Sequence, residues 1–130
     1  MMGLEKFLHG SALPPTILEL VKIRASQING CGYCLHMHTS DAKKAGETDE
    51  RLFAIGAWRE SPLFTDEERA ALALTESATR IADSAGVPDD VWDEAADNFD
   101  EATLGALIMA ISTINAWNRM NVTIRNPAAV

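Results

Sequence analysis

Signals for helix starts and stops recur along the whole chain, and no segment shows a convincing β-strand alternation of polar and apolar residues. Pro15 opens one helical pattern and Gly30 stops it. Thr65 and Glu68 fit a capping box, in which a hydroxyl and a carboxylate satisfy amides of a first turn. Together these signals predict a short helix over 3–9 and helices over 15–29, 31 or 32 to 45, 49–59, 65–85, 88–98 and 101–124.

The amino-acid composition favours the same fold class. Alanine occurs 20 times among the 130 residues, whereas valine occurs 5 times and tyrosine once. Alanine carries the smallest helix penalty, while strands are built mostly from β-branched and aromatic residues. The length suits one domain with a core of its own. We therefore expect a single all-α domain over residues 1–130, a helical bundle of about six to seven helices.

The charge is negative and unevenly distributed. The net charge is −8, and residues 65–101 hold 12 acidic residues against Arg69 and Arg80 alone. Nucleic acids and anionic membranes bind basic patches, so this balance predicts that the protein binds neither. The acidic block is interpreted as a solvated face; a surface for a basic partner is the alternative.

Features that would direct the chain to a membrane or out of the cell are not expected. The N-terminus lacks a basic segment followed by a long apolar one, so no signal peptide is predicted. The longest apolar-rich stretch, 104–114, is too short to span a bilayer. The 2 cysteines do not make a disulfide framework of a secreted domain. We expect a soluble cytoplasmic protein.

The last predicted helix leaves almost no polar face over its first half, residues 102–114. A surface helix of a small monomer has one. The helix is therefore either central to the bundle or covered by another subunit. A bundle of this size has few ways to cover a helix on all sides, so we expect a homo-oligomer.

The segment Cys31-Gly32-Tyr33-Cys34-Leu35-His36-Met37-His38 carries the chemistry. Residues advance by about 100° along a helix, so Cys31, Cys34 and His38 fall within about 60° of one another, while His36 points to another face. Two thiols at this spacing can close a small disulfide ring. The positive end of the helix favours a thiolate, and His38 can exchange a proton with the Cys34 sulfur.

Other interpretations of these residues remain. The cysteines could be inert and buried, and His38 could be a core histidine with its hydrogen bonds satisfied. They could also hold zinc, since thiolates and imidazole are its preferred ligands. A zinc site needs a fourth ligand, whereas the chain has no second cysteine pair, His36 faces away and His9 is distant in sequence. We therefore expect no metal.

The segment from Glu19 to Gly46 resembles the alkylhydroperoxidase D-like (AhpD-like) core of the carboxymuconolactone decarboxylase superfamily. The motif of that family is a glutamate, eleven residues, and then Cys-x-x-Cys-x-x-x-His, which Glu19, Cys31, Cys34 and His38 match at every spacing. The likeness covers nearly the whole chain apart from a short N-terminal segment, and continues through 57–60, the acidic helix start at 65 and 114–119.

The resemblance implies an all-α fold, trimers or hexamers, and a thiol peroxidase or a thiol–disulfide reductase that serves one. It implies that Cys34 is the peroxidatic residue, that Cys31 resolves the sulfenic acid, and that His38 and Glu19 form a proton relay. Hydroperoxide is then the substrate, an external thiol or dithiol is the electron donor, and no cofactor is needed. Some members carry histidine where this chain has Tyr33, which could donate a hydrogen bond or only pack.

The residues alone leave three points open. A position nearest the helix start favours Cys31 as the more reactive thiol, whereas the neighbouring histidine favours Cys34. Glu19 could be a surface partner of Lys22 instead of a proton carrier. The function could also be that of a redox switch without peroxidase turnover, or of a lactone decarboxylase. The Cys-x-x-Cys pair argues against the decarboxylase, which does not rely on one.

Overall fold

The computed structural model describes residues 1–128, and these residues form α-helices and short 3-10 segments without any β-strand. The helices are α1 (Met2–His9), α2 (Pro15–Asn29), α3 (Gly32–Lys44), α4 (Asp49–Ala54), α5 (Asp66–Thr79), α6 (Asp89–Asn98) and α7 (Glu101–Thr123). The 3-10 segments are Ile55–Glu60 and Ile81–Asp83. The all-α prediction with six to seven helices is confirmed.

Local signals placed most helix ends correctly. The Thr65 side chain accepts from the Glu68 amide and the Glu68 side chain accepts from the Thr65 amide, so the predicted capping box is present. Asp100 caps α7 by accepting from the amide of Thr103. Gly30 ends α2 in the left-handed conformation, with φ of 69°, which glycine adopts without a Cβ clash.

Two predicted helices are shorter than expected. The helix predicted over 49–59 ends at Ala54 and continues as a 3-10 segment, because Ala57 leaves helical geometry with φ of −127° and ψ of 36°. The helix predicted over 65–85 ends at Thr79. Residues 81–85 are all exposed, so a longer helix would bury no further apolar face against the core.

Helix α2 lies at the centre of the bundle, where it packs against α3, α5 and α7. Its buried side chains face both sides of the bundle, and they include Ile17, Leu18, Leu20, Val21, Ile23 and Ala25. Among its polar side chains, Lys22 is buried and Glu19 is half-buried, whereas Thr16 is exposed. This places Glu19 and Lys22 in the interior of the fold.

Helix α7 is covered mainly by other helices of its own chain. Of the two possibilities given by the sequence, this is the central position in the bundle and not cover of the whole helix by another subunit. Its core side chains pack with α1, α2 and α5, and they include Leu104, Leu107, Ala110, Ile111 and Ile114. One face stays open, since Ala102, Gly105 and Ser112 are exposed and Ile108 is 40% exposed. We therefore expect the contact between subunits to involve that face and not the whole helix.

No helix of residues 1–128 combines the length and hydropathy that crossing a bilayer requires.

A buried carboxylate ties three elements together. Glu76 of α5 accepts hydrogen bonds from Arg24 of α2 at 2.8 Å, from the Trp58 indole at 3.0 Å, and from Arg59. Burial alone would raise the pKa of Glu76, but these donors hold it below its usual value. The sequence showed Trp58 and Arg59 only as part of a family likeness; their partner is set by the packing.

We expect Glu76→Ala to lower the free energy of unfolding by about 3–5 kcal/mol, because it leaves a buried guanidinium and an indole N–H without their acceptor. Urea unfolding followed by circular dichroism measures this. Glu60→Ala, an exposed carboxylate nearby, is the control and should cost less than about 0.5 kcal/mol. Equal effects of the two substitutions would contradict the role of Glu76.

Candidate active site

The turn between α2 and α3 builds the site. Left-handed Gly30 reverses the chain, and the amide of Cys31 donates to the Ser26 carbonyl at 3.0 Å. Helix α3 then runs back along α2. As a result, His38 lies next to Glu19, although the two are far apart in the sequence.

The Glu19 and His38 side chains form a close pair. Glu19 Oε2 and His38 Nδ1 lie 3.3 Å apart. Both atoms are buried and neither makes a hydrogen bond within residues 1–128, since their own contact is close but lacks hydrogen-bond geometry. A proton on Nδ1 would face this carboxylate, which leaves Nε2 as the ring nitrogen that can serve a substrate or a thiol.

Lys22 is not the partner of Glu19. Its side chain is 2% exposed, and its Nζ donates to Glu5 Oε2 of α1 at 2.7 Å. The interpretation of Glu19 as a surface partner of Lys22 is therefore wrong, because the turn of the helix directs the two side chains to different neighbours. Sequence analysis missed this pair, since α1 carried no signal beyond a weak helical pattern.

Both cysteines are free thiols and both are buried; Cys31 is 2% exposed and Cys34 is 0% exposed. Cys31 precedes the helix in an extended conformation and acts as its N-cap, with its sulfur accepting from the Cys34 amide at 3.2 Å. The expected single stripe of Cys31, Cys34 and His38 is therefore incomplete. Only Cys34 and His38 belong to the helix itself.

The Cys34 thiol holds its proton tightly. Burial, followed by the hydrogen bond that the Cys34 thiol donates to Cys31, raises its pKa to about 11. The amides of Asn118 and Asn121 act in the opposite direction. Asn121 Nδ2 lies 3.6 Å from the Cys34 sulfur, which makes it the polar side chain placed to stabilise a thiolate there.

Asn121 was missed in the sequence, although a signal existed. Asparagine recurs at Asn115, Asn118 and Asn121 on an otherwise apolar helix, where it is a poor helix former. In the structure Asn115 and Asn118 both accept from Asn29, at 2.8 and 3.0 Å, and Asn118 donates to Ser26 at 3.0 Å. This polar row joins α7 to the turn that holds the cysteines.

A cleft of about 640 Å³ opens onto Cys34. Its polar lining residues include Glu19, Lys22 and His38. Tyr33, Met37 and Trp117 line its apolar side, and the ring of Tyr33 packs with the cysteines. His36 is half-buried and does not line this cleft.

No group of three or more histidine, cysteine, aspartate or glutamate side chains of residues 1–128 is arranged to hold an ion. His9 also lines the Cys34 cleft, where its Nε2 lies 3.6 Å from Glu5 Oε2.

Alkylation of Cys34 should depend on pH with a high midpoint. Only the thiolate reacts, so we expect the iodoacetamide rate to rise about tenfold per pH unit and to level off near pH 11. Cys31→Ala removes the thiol that raises the Cys34 pKa, so its midpoint should fall to lower pH. Protein unfolded in urea is the control, with a midpoint near the ordinary value of 9.0. A folded midpoint at or below that value would contradict the burial argument.

Comparison with known proteins shows the family of the chain. The model of the carboxymuconolactone decarboxylase family matches residues 1–77. The uncharacterized protein YdfG of Bacillus subtilis strain 168 is 43% identical over 129 residues, which cover 99% of this chain and 87% of that protein.

Solved structures share the fold. A protein of unknown function from Agrobacterium tumefaciens, proposed to be the antioxidant defence protein AhpD, superposes with a TM-score of 0.94 at 35% identity, covering 99% of this chain and 88% of its own. The debrominase Bmp8 superposes with a TM-score of 0.87 at 21% identity, covering 98% and 68%, and shares the fold alone. With its cysteine pair held between α2 and α7 in this helical arrangement, the chain belongs to the carboxymuconolactone decarboxylase family and has an AhpD-like fold.

Proposed function

We propose that the protein is a thiol-dependent peroxidase that reduces hydroperoxides, an antioxidant role. Cys34 is the peroxidatic residue, Cys31 resolves the oxidised sulfur, and Glu19 and His38 carry the proton. The likeness to the AhpD-like protein of Agrobacterium tumefaciens agrees with this role.

The observation that carries the proposal is that the Glu19–His38 pair lines the cleft of a buried Cys34 thiol, which needs a proton acceptor to react. With a pKa of about 11, the thiol is ionised in only roughly one molecule in ten thousand at pH 7. A buried thiol of this kind reacts when a base removes its proton during attack. His38 lines the same cleft and has Glu19 at 3.3 Å to hold the resulting positive charge.

The reaction has two half-reactions. The Cys34 sulfur attacks the hydroperoxide, forms an S–O bond and breaks the O–O bond; the departing alkoxide takes the proton from His38 and leaves as an alcohol. The Cys31 sulfur then attacks the sulfenic acid, so that a disulfide forms and water leaves. Two external thiols, or one dithiol, reduce the disulfide and are themselves oxidised to a disulfide. No cofactor is required.

Stopped-flow mixing with hydrogen peroxide and with an organic hydroperoxide tests the proposal. We expect loss of two thiols per molecule for each peroxide consumed, and repeated turnover when a dithiol is present. A single oxidation of the thiols without repeated turnover would instead support the alternative function, a cytoplasmic redox switch. Failure of both peroxides to oxidise the thiols would exclude the peroxidase.

We also infer that the protein assembles as a trimer or hexamer. The exposed face of α7 and Phe7 of α1, which is 52% exposed, together form an apolar surface that a second copy can cover. Sedimentation velocity at micromolar concentration is expected to give three or six times the 14.1 kDa of one chain. A well-behaved monomer would contradict this.

A further inference from the structure

The two cysteines open onto two different clefts. Cys34 lines the cleft of about 640 Å³, whereas Cys31 lines a separate one of about 250 Å³. Asn121 and Asn126 line both clefts and stand between them. One cleft is therefore lined by the cysteine proposed to attack peroxide, and the other by its proposed resolving partner.

The C-terminal segment, residues 124–128, forms the wall of the smaller cleft. After α7 ends, the Arg125 amide donates to the Val122 carbonyl at 3.1 Å and the Asn126 amide donates to the Asn121 carbonyl at 2.9 Å. These bonds make a Schellman turn, with Arg125 at φ of 54° where glycine is usual. The turn sends the chain back past the start of α3, where the Gly32 backbone approaches Ala128.

This wall is joined to the reacting sulfur. Asn126 Nδ2 donates to Asn121 Oδ1 at 2.8 Å, and Asn121 Nδ2 faces the Cys34 sulfur. The side chain of Asn121 is thereby held in the orientation that directs its amide toward sulfur. The C-terminal segment is thus part of the site and not a loose tail over it.

The charges of the two clefts differ. The larger cleft is lined by the carboxylates of Glu5, Glu19 and Asp41 together with Lys6 and Lys22. The charged residue that lines the smaller cleft is Arg125, and it forms no ion pair within residues 1–128. A thiolate approaching Cys34 meets net negative charge, whereas one approaching Cys31 meets a guanidinium.

We propose that the smaller cleft is the binding site for the thiol reductant, and that it selects a slender thiol carrying an anionic group, such as a carboxylate. This rests on the proposed function, in which a disulfide must be reduced. The volume lies below the roughly 300–1,000 Å³ of sites for drug-sized ligands, which suits a narrow chain. The hydroperoxide and the reductant then reach the disulfide through different clefts.

The reduction balances as follows. The reductant thiolate attacks the Cys31 sulfur, forms a mixed disulfide and displaces the Cys34 sulfur, which takes a proton from His38. A second thiolate attacks the reductant's sulfur in that mixed disulfide, so the Cys31 thiolate leaves and the reductant departs as its own disulfide. The protein gains two electrons and the two thiols lose them.

The test begins with protein oxidised by diamide, so it does not depend on peroxidase activity. Thioglycolate, 2-mercaptoethanol and cysteamine, which are anionic, neutral and cationic thiols of similar size, are compared at equal thiolate concentration. Each rate is divided by the rate at which the same thiol reduces a small neutral disulfide, which removes differences in intrinsic nucleophilicity. After this correction we expect thioglycolate to reduce the protein disulfide about threefold faster or more than 2-mercaptoethanol, and cysteamine to be slowest. Quenching with N-ethylmaleimide followed by peptide mass spectrometry should place the first mixed disulfide on Cys31.

Variants locate the cleft. Arg125→Gln should remove the preference among the three thiols, and Arg125→Lys should keep it. Arg119→Gln makes the same charge change on α7 but lines neither cleft, so it should behave as the parent. The proposal is overturned if the first adduct lies on Cys34, if Arg125→Gln leaves the thiol preference intact, or if Lys6→Gln in the larger cleft removes it instead. If these reductions behave as expected while no peroxide is consumed, only the peroxidase proposal fails.

Discussion

Replacing Cys34 with serine will abolish hydroperoxide consumption, whereas replacing Cys31 with serine will allow one turnover that stops at a sulfenic acid. Cys34 opens onto the larger cleft with His38, and Asn121 faces its sulfur at 3.6 Å. Without Cys31 the oxidised sulfur has no partner to close a disulfide, so the sulfenic acid accumulates. A dimedone-type probe and mass spectrometry after one equivalent of peroxide will detect it on Cys34.

The opposite labelling pattern would reverse the two roles. Cys31 is the N-cap of α3, and helix-end amides favour a thiolate there. If the probe labels Cys31 in Cys34→Ser and labels nothing in Cys31→Ser, Cys31 is the peroxidatic residue. The double variant, treated in parallel, controls for probe that reacts elsewhere on the protein.

Replacing Glu19 with glutamine will slow peroxide reduction by roughly 10²-fold or more without changing the fold, and His38→Ala will do likewise. Glu19 Oε2 and His38 Nδ1 lie 3.3 Å apart and neither atom has a hydrogen-bond partner among residues 1–128, so we expect the two side chains to act on one proton. The double variant should therefore be little slower than either single variant. Peroxide rates against pH, with circular dichroism as a check on folding, measure this.

Asp41→Asn is the matched control for this pair. Asp41 is a carboxylate of the same cleft, but it is exposed and does not pair with His38. Its loss should change the rate far less than the loss of Glu19. Losses that add fully in the double variant, or a Glu19→Gln enzyme as fast as the parent, would show that Glu19 does not carry the proton.

Local sequence patterns predicted most of the fold because the forces behind them act within a few residues. The capping box at Thr65, the left-handed stop at Gly30 and the aspartate cap at Asp100 each satisfy backbone amides or carbonyls next to them. Predictions were wrong where the outcome depended on distant packing. Helix α5 stops at Thr79 because no core lies beyond it. The helix predicted over 49–59 is interrupted by non-helical Ala57, although the sequence there continues a helical pattern.

The candidate site divides in the same way. The motif from Glu19 to His38 could be recognised by spacing, and Gly30 made it predictable that the chain turns between them. The pairing of Lys22 with Glu5 could not be predicted, because Glu5 comes from a helix with no motif that packs across the bundle. The same holds for Asn121, which reaches Cys34 from the far end of the chain.

By itself, therefore, the sequence determined most of the helices, several of their caps and the candidate cysteine pair, because capping, periodicity and motif spacing are properties of neighbouring residues. Only the tertiary structure decided that Cys34 is buried enough to raise its pKa to about 11, and that the two cysteines line separate clefts whose charged residues differ. The burial of Cys34 and the electrostatic field in each cleft are sums over contributions of side chains from α1, α2, α3 and α7. Those sums exist only once the helices are packed.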